Sequence, residues 1–253
     1  MDLGLHDRVF VVTAASGGLG RASAAQLVAE GARVVLVARR ADVLAEAVAE
    51  LGSDRAVAVT ADLADPATGE LACLVARRAY GRLDGALVSV GGPPPGTVLG
   101  TTDAQWQSAF DQVFLAALRV SRAVVAHATA PDLALAWVLS TSVRSPLPGL
   151  ATSNGLRPGL GMLVKQLADE LGPTGGRVVG LLPGRIETER TRALDAADAD
   201  PAAARAAREA GIPLRRYGAP EELARVAAFV LSPAASYLTG CVVPVEGGAL
   251  RSA

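Results

Sequence analysis

The stretch "VFVVTAASGGLGRASAAQLVAEGARVVLVARR", residues 9 to 40, decides the fold. An apolar run ends at Thr13, a turn of small residues leads from Ala14 to Gly20, an Ala-rich helix follows, and a second apolar run ends at Ala38. Runs without polar alternation suit strands covered on both faces, the habit of parallel sheets. Gly18 and Gly20 let the backbone come close to a pyrophosphate held at the helix N-terminus, so the segment predicts a nucleotide-binding strand-turn-helix-strand unit.

The same alternation continues along the chain. Strands are expected at 8–14, 33–39, 56–63, 85–92, 135–141, 177–184 and 241–248, with helices at 18–30, 41–51, 67–80, 103–128, 154–172 and 220–231. This predicts one α/β domain spanning residues 1–253, doubly wound, with a seven-stranded parallel sheet and helices on both faces. Two segments fall outside the pattern. "GGPPPGTVLG" at 91–100 is too rich in Gly and Pro for regular structure and should line a ligand crevice. The charged, Ala-rich segment 189–218 is expected to be a mobile helical lid.

Composition excludes several classes. Apolar runs such as "LALAWVL" at 133–139 are far short of the roughly 18 residues that span a bilayer. The start "MDLGLHDRVF" has no apolar signal region, so no membrane and a cytoplasmic location are expected. A net charge of −1 without a Lys/Arg block offers nucleic acid no footprint and favours a small-molecule partner. Cys73 and Cys241, like His6 and His127, stand alone, so no metal site or disulfide is expected.

The second strand ends in Arg39-Arg40 rather than in an acid that would accept from a free adenosine ribose. Arg39 is the candidate clamp for a 2′-phosphate, because a guanidinium fork matches phosphate oxygens, and NADP(H) is favoured over NAD(H).

At this point the chain resembles the short-chain dehydrogenase/reductases, a Rossmann-fold family, over essentially its full length. "TAASGGLG" at 13–20 resembles the family's TGxxxGxG turn with Ala14 in place of the first glycine. The resemblance implies cofactor contacts at Thr13, Ser16, Gly18, Leu19 and Gly20, at Asp62 and Leu63 beside adenine, and at Gly91 after the fourth strand. "PGRIET" at 183–188 resembles the PGxxxT segment and implies Pro183, Gly184, Ile186 and Thr188, with Thr188 at the nicotinamide carboxamide. The ending "SPAASYLTGCVVPVEGG" implies a homo-oligomer, tetramer or dimer.

The catalytic half departs from the family pattern. Relatives use a YxxxK tyrosine and lysine for the proton, a serine to orient substrate and a helix asparagine to hold a water relay. Counting back from "KQLADELGP" at Lys165 puts Ser153 at the tyrosine position and Arg157 at the lysine position. The serine falls on Ser140, with Ser142 a near alternative, and the asparagine maps to Val113. An aliphatic hydroxyl cannot be tuned as tyrosine can, and an arginine does not deprotonate in a protein. Ser140, Ser142, Ser153, Asn154 and Arg157 can still donate to a developing oxyanion.

No other tyrosine is expected near the pocket, neither Tyr80, Tyr217 nor Tyr237, while Glu187, Glu189 and Asp111 are candidates for a displaced acid. "SNGLR" at 153–157, preceded by Pro146, Pro148 and Leu150, resembles a divergent branch in which SNxxR replaces YxxxK and a "GGPPPG" loop follows strand four. Three readings stand open: an NADP(H)-dependent reductase of a carbonyl or imine; a non-redox cyclase, dehydratase or isomerase with a pocket floor of Val88, Val90 and Val113; and a cofactor-binding pseudoenzyme.

Overall fold

The computed structural model describes residues 2–251. Seven parallel strands form one sheet in the order β3-β2-β1-β4-β5-β6-β7. They are β1 (Val9–Thr13), β2 (Arg33–Ala38), β3 (Ala56–Thr60), β4 (Gly85–Val88), β5 (Ala134–Val138), β6 (Arg177–Pro183) and β7 (Cys241–Val245). The helices are α1 (Gly18–Ala29), α2 (Ala41–Leu51), α3 (Thr68–Tyr80), α4 (Asp103–Ala109), α5 (Ala116–His127), α6 (Ala151–Leu171), α7 (Glu189–Ala196), α8 (Pro201–Ala210) and α9 (Pro220–Leu231).

Alternate strand residues feed two cores. Phe10, Val12 and Leu36 pack towards one face with Ala24 and Leu27 of α1 and Leu223 and Ala227 of α9. Val9, Val11, Val35 and Val37 pack towards the other with Ala72 of α3, Val120 of α5 and Leu160 and Val164 of α6. Because both faces are covered, strands need no polar alternation, and that is why unbroken apolar runs mark them. Order reverses between β1 and β4, and in such sheets a ligand crevice opens at the carboxyl ends of those strands.

The opposite, amino-terminal ends of the central strands β1 and β4 are pinned by a buried carboxylate. Asp84, fully buried, accepts from the Val9 amide at 2.8 Å and from Arg82 Nε at 2.8 Å, with Arg8 Nη1 3.6 Å away. On the β5 side Trp137 donates its indole N–H to Ser121 Oγ at 2.9 Å, so its bulk is buried without a lost hydrogen bond.

Three expectations need correction. The helix expected at 103–128 is interrupted by a π-helical turn over Phe110–Leu115, which holds Val113 fully buried and stacks Phe110 on Phe114 at 5.1 Å. The helix expected from 154 begins at Ala151, so Ser153, Asn154 and Arg157 all sit on helix, with Pro158 inside it. Val88 and Val113 face the core rather than a pocket floor, and only Val90 reaches the crevice.

Candidate active site

A crevice of about 1380 Å³ opens beyond the carboxyl ends of the strands. One wall is the glycine turn. Thr13 is not on that wall: it is fully buried, its hydroxyl donating to the Ser89 carbonyl and accepting from the Ser89 amide at 2.9 Å, so it ties β1 to β4 instead of meeting a ligand. Ser16, Gly18, Leu19 and Gly20 do line the crevice. α1 starts from Gly17 with no side-chain cap and no acid in its first turn, which leaves its leading amides free for an anion. Gly20 has no room for a side chain, since a Cβ there would stand 2.5 Å from the Ala14 carbonyl oxygen.

Ala14, which replaces a glycine of the family turn, has φ +51°. That left-handed conformation is costly for any residue with a Cβ. Ala14→Gly is therefore expected to stabilise the protein by about 0.5–1 kcal/mol, once the extra freedom of glycine in the unfolded chain is subtracted. Differential scanning calorimetry should show a Tm gain of roughly 1–4 °C for a chain of this size.

At the end of β2, Arg39 and Arg40 both line the crevice. Arg39 is largely exposed, 3.9 Å from Asp62 Oδ2, while Arg40 reaches across the glycine turn to the Ser16 carbonyl at 3.3 Å and hydroxyl at 3.4 Å. Sequence reasoning chose Arg39 alone; Arg40 lies nearer the turn because it starts α2 and points back over it. Asp62 accepts from the Ala64 amide at 2.9 Å, and Leu63 packs at the core's edge; both follow the end of β3, outside the crevice lining.

The facing wall carries the expected catalytic segment. Ser140, Ser153 and Arg157 line the crevice together. Ser140 Oγ accepts from the Ser142 amide at 3.1 Å, which leaves its own proton to donate. Ser142 turns away and shares a hydrogen bond of 3.1 Å with Ser153 Oγ, so it braces Ser153 rather than reaching the crevice. Asn154 spends its amide on one residue, accepting from the Leu147 amide at 2.9 Å and donating to the Leu147 carbonyl at 2.8 Å. It fastens the loop before α6 and is not free as an oxyanion donor.

Arg157 is buried, and its Nη1 donates to the carbonyls of Val138 at 2.9 Å and Leu139 at 2.8 Å. Burial pulls its guanidinium down to about 10, with the charge of Arg190 adding to the effect, so it remains a cation at neutral pH.

Gly91, Pro183, Gly184, Ile186 and Thr188 complete the lining. Thr188 Oγ1 caps α7 by accepting from the Thr191 amide at 3.2 Å. The ends of segment 189–218 are joined where Gly218 donates to the Arg185 carbonyl at 2.9 Å and accepts from the Glu187 amide at 2.8 Å. Inside it, Asp195 accepts from Arg208 at 2.7 Å, Arg185 at 3.3 Å and the Tyr217 hydroxyl at 3.3 Å. Arg190 of α7 then reaches over the crevice to the loop after β4, donating to the carbonyls of Gly92 at 2.6 Å and Pro93 at 2.7 Å. No motif announced Arg190, because its acceptors are main-chain atoms some 97 and 98 residues away in sequence.

The other proton sources are accounted for. Glu187 is held ionised, below the usual carboxylate range, first by Arg192 and then by Arg205. Asp111 accepts from Gln107 at 3.1 Å outside the crevice, and Glu189 is the carboxylate that lines it among the described residues. Burial raises the hydroxyl pKa of Tyr80 and of Tyr217, the wrong direction for a proton donor, and Tyr237 is fully exposed. Burial also pushes the Cys73 thiol up to about 12, as befits a packed side chain. Among the described residues no cluster suits a metal ion, and no helix is long and apolar enough to cross a membrane.

A glycine turn at a helix start, set at the switch point of a doubly wound sheet and opening on one long crevice, defines a dinucleotide-binding protein of Rossmann type. A family profile described as enoyl-(acyl carrier protein) reductase matches residues 13–249. The chain belongs to the short-chain dehydrogenase/reductase family. An uncharacterized oxidoreductase of Mycobacterium tuberculosis is 32% identical over 247 residues, covering 96% of this chain and 92% of the relative. L-sorbose reductase from Gluconobacter frateurii, solved with NADPH and L-sorbose, superposes with a TM-score of 0.93 at 30% identity over all of both chains. An NADPH-bound short-chain oxidoreductase from Pseudomonas aeruginosa, described as containing an atypical catalytic center, gives 0.90 at 31% identity over 98% of this chain and 100% of that one.

Proposed function

We propose that this oxidoreductase is an NADP(H)-dependent reductase of a carbonyl or imine in a small molecule, working without the tyrosine and lysine of its family. The observation that carries the reading is the continuity of one crevice from Arg39 and Arg40, past the uncapped start of α1, to Ser140, Ser153 and Arg157. When bound, the nicotinamide would supply the hydride. The first-turn amides of α1 would hold the pyrophosphate, and Arg39 and Arg40 the 2′-phosphate. Ser140 and Ser153 donate to the oxygen or nitrogen of the reacting group, and the Arg157 charge behind them favours the negative charge that develops there. The product atom takes its proton from water in the crevice. Segment 189–218 acts as a lid latched by Arg190, and the chain assembles as a homo-oligomer; the crystallised relatives named above, with NADPH in both, support the cofactor choice.

Titrating the protein with NADPH and NADH, followed by nicotinamide fluorescence, tests the cofactor assignment. The Arg39→Gln/Arg40→Gln double variant is expected to weaken NADPH about 100-fold or more and leave NADH unchanged, since hydrogen bonds to charged groups contribute about 1.5–3 kcal/mol each. Equal affinity of the unaltered protein for the two nucleotides would remove the phosphate clamp. Failure of a broad carbonyl and imine panel to consume NADPH would remove the reductase.

A further inference from the structure

Five guanidinium groups line the crevice with no carboxylate partner among the described residues: Arg40 over the glycine turn, where the 2′-phosphate is expected, Arg144 at the rim, Arg251, and Arg157 and Arg190, which are near enough for the charge of one to bear on the other. They contrast with Arg185 and Arg208, which line the same crevice but share Asp195. Arg157 is 6% exposed and meets only main-chain carbonyls, so the cost of taking its charge out of water is returned in part at best. Only Nη1 is occupied, and among the described residues Nη2 and Nε have no acceptor. Glu189, the one carboxylate of the lining among the described residues, stands in the first turn of α7, where the helix amides favour it, and does not balance these cations.

Position limits what could balance them. Ser153 and Arg157 are one turn apart on α6 and so share a face, and Arg157 donates to the carbonyl of Leu139, the residue before Ser140. The cation and the two hydroxyls that would polarise the reacting group are therefore neighbours. A negative group on Arg157 would therefore lie on the same small part of the substrate as the atom held by the serines.

We propose that the substrate is an oxo acid, with its carboxylate seated between Arg157 and Arg190 and one or two carbons from the carbonyl that Ser140 and Ser153 hold. This rests on the reductase reading above. A carboxylate suits the site because its two oxygens match a guanidinium fork and because it replaces the counter-charge that the protein does not provide. Arg157 and Arg190 then position the substrate, and neither gives up a proton.

The test uses the NADPH-loaded protein. Short-chain 2-oxo and 3-oxo acids, their methyl esters and inorganic phosphate are titrated in by calorimetry, and NADPH consumption is followed in parallel. At least one acid is expected to bind about 10-fold or more tightly than its ester, and Arg190→Gln to abolish that preference. Arg157→Gln should do the same; if it fails to fold, Arg157→Lys, which keeps the charge, should retain the preference.

Acids and esters that bind alike, or a preference that survives Arg190→Gln, would overturn the proposal. So would inorganic phosphate displacing the acids at equal affinity, because the seat would then read a phosphoryl group. The reductase reading fails differently: the acids still bind in preference to esters while NADPH is not consumed.

Discussion

Gly20→Val is expected to abolish NADPH binding at concentrations that saturate the unaltered protein and to lower Tm by roughly 2–12 °C. The reason is geometric. A Cβ at residue 20 would stand 2.5 Å from the Ala14 carbonyl oxygen and 2.8 Å from that of Thr13, and both contacts are backbone, so no side chain can rotate away. The helix must slide off the end of β1, at a cost of about 1–3 kcal/mol for overpacking of this kind; for a chain of this length each kcal/mol moves Tm by roughly 2–4 °C. Binding suffers more than stability, because the slide moves the amides at the start of α1 that would receive the pyrophosphate. Fluorescence titration and calorimetry on the same preparation check the two effects. Gly172→Ala is the control, since that residue lies outside the crevice lining and a Cβ there meets nothing within 4 Å. A Gly20→Val protein that binds NADPH normally would refute the cradle.

Asp84→Ala should do the reverse. The carboxylate lies at the amino-terminal ends of β1 and β4, away from the crevice, and its loss strands the Val9 amide and the Arg82 guanidinium and leaves Arg8 without its nearest buried charge. Removing one member of a buried ionic network costs about 3 kcal/mol or somewhat more, which is a fall in Tm of roughly 6–12 °C at this size. NADPH affinity, measured well below the melting range, is expected to stay within about twofold, because sites this far apart act additively when they share no contacts. A loss of affinity as large as that in Gly20→Val would mean that the two ends of the central strands are coupled.

The sheet was legible because its chemistry is repetitive. β1, β2 and β5 are buried on both faces, so each is written as an unbroken apolar run, and the glycine turn can only be read one way between a strand and a helix. The site was legible where position alone decides. Ser140, Ser153 and Arg157 reach the crevice because the α6 register and the end of β5 put them there. What the sequence hid depends on where side chains turn. Thr13 and Asn154 are spent on main-chain groups, Ser142 on its neighbour Ser153, and the π turn that buries Val113 leaves an apolar pattern no different from that of a regular helix. Arg40 and Arg190 act by reaching across gaps, and reach is a property of the fold rather than of any local spacing.

The latch formed by Arg190 has an evolutionary side. Its acceptors are the carbonyl oxygens of Gly92 and Pro93, which every amino acid carries. Substitutions elsewhere in the loop that keep its path therefore leave the clasp intact, whereas a Cβ at Gly92 would stand 2.1 Å from Arg190 Cζ and push the guanidinium off its acceptors. A carboxylate in the same place would have fixed both ends of the contact and cancelled the charge; main-chain acceptors do neither.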